Sequence, residues 1–596
     1  MTETRLAALR AGMAREGIDA YLIPTADDHE SEYVGAHFKA RAYLTGFTGS
    51  AGLCAVTAGD AALWTDGRYF IQAANQLKGS GVRLMRDGEP GVPTLAEFLQ
   101  SALPDGGRLG FDGRVVNARM ALRLEEQLKG KRVSLAAGQD LVGEIWPDRP
   151  PRSARPAFLL TQAQAGRSAR DKIEDLRRDM RQEGADAALL TGLDDIAWLL
   201  NLRGDDIPYN PYLLAFAAVT REEVLLFAQG EAVPQDVRRG LGESGVELRP
   251  YEGVYDWAAA LAAGSSVWLD AARVNYALFS RVPRGVRILD KPTSILHRKA
   301  VKNQVEIQNL RRAHVLDGVA FVRFMRAVKE NVEKAPMDEY TAGKMLEDLR
   351  RQQEGFLELS FDTICAYNAN AAMMHYSAAP GSAARLAPEG LLLVDSGGQY
   401  TCGPTDITRT LALGPVPLLW KKHYTAVLRG MINLARARFL RGCRGLNLDI
   451  LARGPIWDLG LDYRCGTGHG VAYLGGVHEP PNGFRWRIVP ERNDSCVLEP
   501  GMVTTDEPGI YIEGSHGIRI ENELLCVAGE ENEYGQFLRF ETLTLAPIDL
   551  DSVLPEEMTG QERAFLNDYH RRVYAELAPH LDAAERAYLA ACSRAI

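Results

Sequence analysis

No run of about 18 uncharged apolar residues occurs in the 596-residue sequence, so no membrane-spanning helix is expected. The first fifteen residues are polar and charged and lack an apolar stretch, so no secretory leader is expected either. Basic residues are not in excess. Sixty-eight Lys and Arg stand against 78 Asp and Glu, for a net charge of −10 and a pI near 5.7. That balance argues against a nucleic-acid partner and gives no reason to expect an anionic membrane surface as partner. Cysteine is sparse and scattered: eight residues, Cys402 and Cys443 among them, form no close pair and no metal-finger spacing. Reduced thiols in a reducing compartment, the cytoplasm, follow. What is present is ordinary globular material, 46% hydrophobic, 24% charged and 8% aromatic. A chain of this length is enough for about three to five domains.

The first positive feature is an internal repeat. Residues 9–23 read LRAGMAREGIDAYLI and residues 176–190 read LRRDMRQEGADAALL, with Leu, Arg, Met, Glu, Gly, Asp and Ala in register and no gap. Each copy predicts an amphipathic helix, a glycine turn and an apolar strand. The continuations also match: Arg41-Ala-Tyr-Leu-Thr-Gly-Phe leads to a strand at 51–57, and Ile196-Ala-Trp-Leu-Leu-Asn-Leu to one at 213–219. Two related α/β domains in tandem are therefore expected, over 1–150 and 156–296. The proline-rich segment from Trp146 to Pro156 separates them, because proline removes backbone donors and favours extended chain. A long helical pattern opening near Lys302 starts a third, larger domain over 297–596. Its tail, from about 550, reads as two short polar helices on that domain or on a partner.

Five segments of the third domain place an acid or an imidazole beside strand or turn signals. A buried apolar strand, Leu391-Leu-Leu-Val, ends in Asp395. Asp406, eleven positions on, opens a strand that returns from it, with the turn expected at Gly403-Pro404. His469 lies between glycines in Gly466-Thr-Gly-His-Gly, which leaves its imidazole accessible. Glu507 ends a strand before Pro508-Gly509, and Glu521 sits in the strand Gly517-Ile-Arg-Ile-Glu-Asn-Glu-Leu-Leu among apolar neighbours. Any one of these residues alone reads as a turn cap, a loop histidine or a solvated edge. Two Asp, two Glu and one His in such settings read differently. Buried carboxylates need partners, and four together repel unless cations neutralise them. An oxygen-rich set with one imidazole suits a harder divalent metal such as Mn2+, with Zn2+ or Co2+ open. Two such metals can deprotonate a shared water and polarise a carbonyl.

The ordered segments VDSG, TDITRT, GTGHG, TDEPG and IRIEN resemble the aminopeptidase P pattern of the pita-bread metallopeptidases. Ser31-Glu32-Tyr33, Gly46-Phe-Thr-Gly-Ser-Ala-Gly52 and Leu63-Trp-Thr-Asp-Gly-Arg-Tyr69 are similar to the leading domain of its long, three-domain form. The resemblance implies an α/β (α+β) architecture of two creatinase-N-terminal-like domains before a pita-bread catalytic domain. It implies hydrolysis of the bond between an N-terminal residue and a following proline, by a hydroxide bridging two divalent metals. Asp395 would chelate one metal, Asp406 and Glu521 would bridge both, and His469 and Glu507 would hold the other. Glu507 would also take a proton, His375 and His478 would bond the carbonyl oxygen, and Arg519 would brace the bridging acids. A homodimer acting on proline-containing oligopeptides is implied in the same way, with the leading domains restricting access.

Two departures from that pattern concern the substrate pocket. Cys465 stands where many relatives carry histidine, four positions before His469, and Pro480-Pro481 follows Glu479 where Gly-Pro is usual. The rival readings are a prolidase that takes X-Pro dipeptides, a metal-free creatinase-like hydrolase, and a binding module on the same fold. Retention of all five ligand types speaks against the last two.

Overall fold

The computed structural model describes residues 2–489 and 492–596. The chain forms two compact units, one reaching to Gln162 and resuming over Arg167–Ile295, the other comprising Ala163–Gly166 and Leu296–Ile596.

The first unit contains the duplication. Its leading sheet has strands Ala20–Pro24, Leu53–Thr57, Ala61–Thr65, Arg83–Arg86, Arg108–Phe111 and Ser134–Ala136. Its second sheet has Ala187–Leu190, Ala215–Thr220, Val224–Ala228, Val246–Pro250, Ser266–Leu269 and Arg287–Asp290. Numbered within each sheet, both have the order 4-3-2-1-5-6. In both, the pairs 1–2 and 2–3 are antiparallel and 3–4, 1–5 and 5–6 parallel. The helices Thr2–Glu16 and Ala169–Glu183 end alike. Gly17 and Gly184 adopt φ of +64° and +66°, and the amides of Ile18 and Ala185 each return 2.8 Å to the carbonyls of Met13 and Met180. That closure needs a residue free to enter the left-handed region, which is why glycine recurs at this point of the repeat. The segment rich in proline is extended but pinned: Arg149 donates to His37 O, Arg152 to Glu252, and the Arg155 amide to Asp206.

The second unit is α+β. Helix Gln304–Asn331 starts at a capping box, Asn303 accepting from the Glu306 amide and Glu306 from the Asn303 amide. Helices Glu339–Arg351, Leu418–Ala435 and Gly445–Trp457 accompany it. A three-stranded sheet joins Ile364–Tyr367, Leu391–Ser396 and Ile407–Ala412, and a four-stranded one joins Arg438–Leu440, Gly535–Thr542, Asn522–Asn532 and Val503–Asp506. The hairpin between the two aspartates forms, but its turn is at Thr401–Cys402; Gly403 and Pro404 already pair with Tyr400 and Gln399. The strand expected through Glu521 is interrupted at 520–521, where the Glu521 amide leaves its own ladder and donates to Thr408 O at 3.1 Å.

The tail helices Gly560–Leu577 and Ala583–Cys592 pack on their own unit: Leu566, Tyr569, Val573, Leu577 and Leu589 join its main core. Arg409, fully buried, ties the tail to the sheets. It donates to the carbonyls of Thr408, Glu521, Ala546 and Pro547, to Asn522 Oδ1 and to the Tyr569 hydroxyl. All eight cysteines are unpaired thiols, and no helix among the described residues is long and apolar enough to cross a membrane.

The Tyr569 hydroxyl also donates 2.8 Å to Ala546 O. Tyr569→Phe leaves buried partners unmet and is expected to destabilise this unit by about 1–2 kcal/mol. An earlier urea midpoint at unchanged slope would show it, and an unchanged midpoint would show that the tail contributes nothing through this hydroxyl.

Candidate metal centre

The five ligand-type residues come from five segments between 391 and 521, and the fold brings them together. Ligand atoms of Asp406, His469 and Glu521 lie within 4.8 Å of one another. His469 Nε2 is 3.5 Å from Asp406 Oδ2 and 3.3 Å from Glu507 Oε1. Asp395 pairs in register with Thr408 and is held by Arg519 Nη2 through Oδ2, while its Oδ1 is buried with no hydrogen-bond partner. Asp395 and Glu507 thus lie outside the tightest group, yet the charges of both bear on Asp406 and Glu521.

Local structure orients each group. Gly468 and Gly470 flank His469 because a Cβ there would meet Thr505 O at 1.8 Å and Glu479 O at 2.2 Å. The His469 amide donates to Thr505 Oγ1, whose hydroxyl donates 3.1 Å to Glu507 Oε1. His469 Nδ1 is 3.0 Å from the Gly470 carbonyl. A carbonyl only accepts, so Nδ1 donates there and Nε2 is the nitrogen turned toward Asp406 and Glu507. Glu521 Oε2 accepts from Thr408 Oγ1 at 2.7 Å. Arg519 donates to Thr408 Oγ1, to the Tyr511 hydroxyl and to Met374 O besides Asp395. His478 packs edge-on against His469, ring centroids 4.2 Å apart, and Glu479 beside it is buried between Lys299 and Lys302. His375 is carried by the loop whose Met374 carbonyl Arg519 engages.

Burial, then the neighbouring carboxylates, holds Asp406 and Glu521 well above the usual carboxylate range. Glu507 is raised to about 7, by burial above all, with Arg519 opposing. Arg519 contributes one positive charge against four carboxylates. That imbalance, the orphaned Asp395 Oδ1 and the turn of His469 Nε2 toward Asp406 and Glu507 fit a centre built to hold divalent cations. Burial and the nearby Glu507 push the Cys465 thiol up to about 11, so without a cation on it the thiol stays protonated near neutrality.

Two acids escaped the sequence reading. Glu523 Oε1 accepts the Asp406 amide at 2.8 Å, with His314 3.4 Å from its other oxygen. Asp506 is fully buried with neither oxygen hydrogen-bonded, and burial and the Glu507 charge raise its pKa well above the usual value. Their only sequence signal is an acid at or near a position already chosen.

The pattern of metallopeptidase family M24 matches residues 308–528, and that of the C-terminal region of peptidase M24 matches 536–596. Creatinase/prolidase N-terminal domains match 5–144 and 148–306. A probable Xaa-Pro aminopeptidase P of Botryotinia fuckeliana is 38% identical over 96% of this chain and 90% of its own. Aminopeptidase P1 of Arabidopsis thaliana is 37% identical over 98% of each. The X-prolyl aminopeptidase of Caenorhabditis elegans, described as a cytosolic enzyme with a di-nuclear active site, superposes over 100% of both chains with a TM-score of 0.95 at 34% identity. The Xaa-Pro dipeptidase of Bacillus anthracis covers 64% of this chain, with a TM-score of 0.51 at 25% identity.

Acids raised in the fold stabilise it below their ordinary pKa, 4.5 for Glu507, and lose that contribution as pH passes their folded value, about 7 for Glu507. The metal-free protein is therefore expected to melt at lower temperature as pH rises from about 5 to about 8. Mn2+ is expected to flatten that slope by replacing the protons. A slope that no divalent cation alters would contradict the cation-site reading.

Proposed function

The chain belongs to the Xaa-Pro aminopeptidase P branch of metallopeptidase family M24, and on that premise we propose how its own residues perform the reaction. The chain is a metal-dependent hydrolase with a dinuclear centre that removes an N-terminal residue preceding proline. The observation that carries the residue assignment is the convergence of Asp406, His469 and Glu521, with Glu507 on the same imidazole nitrogen.

Asp395 would hold one cation, Asp406 and Glu521 would bridge two, and His469 Nε2 with Glu507 would hold the second. When bound, the cations supply a lowered pKa for water and polarisation of the substrate carbonyl. The X-Pro bond has no N–H, so the site must position a tertiary amide without the donor that ordinary peptides offer. Glu507, beside the His469 imidazole, would take the proton of the attacking water and return it to the proline nitrogen. His478, packed on His469, and His375 would donate to the carbonyl oxygen as negative charge grows there. Arg519 would fix Asp395 and the Met374 carbonyl in one geometry.

Mn2+ is the metal proposed, on the oxygen-rich donor set. Cytoplasmic residence is supported by eight unpaired thiols. A homodimer is supported by apolar side chains exposed on the second unit, Ile450, Trp457, Leu459, Trp486 and Ile488. Domain limits of 1–150, 156–296 and 297–596 are proposed from the repeat and its linker.

The stripped protein given Mn2+ is expected to release arginine from an Arg-Pro-Pro peptide and to cleave Xaa-Pro-Xaa tripeptides. Asp406→Ala is expected to lower that rate by roughly 1000-fold or more and to lose metal on dialysis. Cleavage of dipeptides alone would make the chain a prolidase. Silence on both substrates with every metal would leave a binding module.

A further inference from the structure

The loop that carries His375 is held on both sides. Arg519 Nη2 donates to the Met374 carbonyl at 3.4 Å, and the Tyr376 hydroxyl donates to Glu339 Oε2 at 2.7 Å. Glu339 opens helix Glu339–Arg351 and is 0% exposed. Its carboxylate does more than meet Tyr376. Oε1 accepts from the Tyr367 amide at 2.7 Å and from Asn370 Nδ2 at 3.0 Å, and Oε2 accepts from the Ala384 amide at 2.7 Å. The Glu339 amide in turn donates to Ala384 O at 3.1 Å. One carboxylate therefore gathers the end of strand Ile364–Tyr367, the 3-10 turn Asn368–Ala372, the residue after His375 and the far end of the loop.

Between 373 and 384 the chain has no helix or strand to fix it. A buried carboxyl group bonded by four residues is a stiff anchor for such a segment, because each partner fixes it from a different direction. The turn is also seated against the strand bearing Arg519, where a Cβ on Gly517 would meet Ala371 O at 1.8 Å. The imidazole of His375 is thus carried on backbone fixed from Arg519 on one side and Glu339 on the other.

We propose that Glu339 is a positioning residue for His375, acting through the Tyr376 hydroxyl and the Asn370 amide to hold the loop where the imidazole meets the scissile carbonyl. The inference rests on the role of His375 given above. Misplacing a group that must meet a developing charge lowers turnover more than it weakens substrate binding.

The test is a mutant cycle on the Mn2+-loaded protein, with Tyr376→Phe and Glu339→Gln each made in the wild-type and the His375→Ala backgrounds. In the wild-type background each is expected to lower kcat roughly 10- to 100-fold. KM and Mn2+ affinity, the latter read by titration calorimetry, should stay within about twofold. In the His375→Ala background neither should lower the residual rate, because nothing remains to be positioned. Equal losses in both backgrounds would mean that the substitutions act on the fold or on another group, and would overturn the inference. A slow His375→Ala beside a Tyr376→Phe as fast as wild type would sink the inference alone. A fast His375→Ala would fell the role of His375 itself, and the inference with it. Tyr376→Phe removes one oxygen from a half-buried ring and carries the test if Glu339→Gln fails to fold.

Discussion

Four carboxylates brought together with one imidazole repel one another, and the groups that hold each of them answer that repulsion. Desolvation and mutual charge favour the protonated forms of Asp406 and Glu521, and desolvation raises Glu507 against the pull of Arg519. Left alone, such a cluster would splay open or take up protons. Its geometry persists because each acid is fixed from outside the cluster: Glu521 by Thr408, Glu507 by Thr505, Asp395 by Arg519, and the Asp406 backbone by Glu523. The donors stand ready and the compensating positive charge is left to cations.

Arg409 is the structural counterpart of that centre. Its guanidinium joins the carbonyl of Glu521 to those of Ala546 and Pro547 and to the hydroxyl of Tyr569 on the tail helix. The backbone at a metal-facing acid and the packing of the C-terminal helices are therefore coupled through one buried side chain. The planar fork of arginine suits this task, because it serves several carbonyls at fixed angles.

The first unit illustrates how a repeat persists as geometry. The two sheets share strand order and pairing sense throughout, and Asn117 and Asn275 cap the helices that follow their fifth strands. What is repeated is a strand order, a glycine closure and a helix cap. Cys465 is a different matter. Its thiol stays protonated beside Glu507, so at this point the chain offers a weak neutral donor.

The sequence by itself determined the duplicated α/β domains, the hairpin of aspartates, the glycine-flanked histidine and the acids of the candidate centre. Each of these signals is local, a periodicity, a turn residue or a motif within a few positions of the residue that matters. Tertiary structure alone decided which atoms meet. The break at 520–521 turns the Glu521 amide toward Thr408, and the turn between the aspartates falls two residues before the glycine and proline that seemed to mark it. The tail, undecided between its own domain and a partner, packs on its own domain through Tyr569. Glu339, Glu523 and Asp506 carried no decisive mark in the sequence. An acid becomes an anchor or an orphan only through donors brought from elsewhere in the chain, and that partnership exists only once the fold has closed.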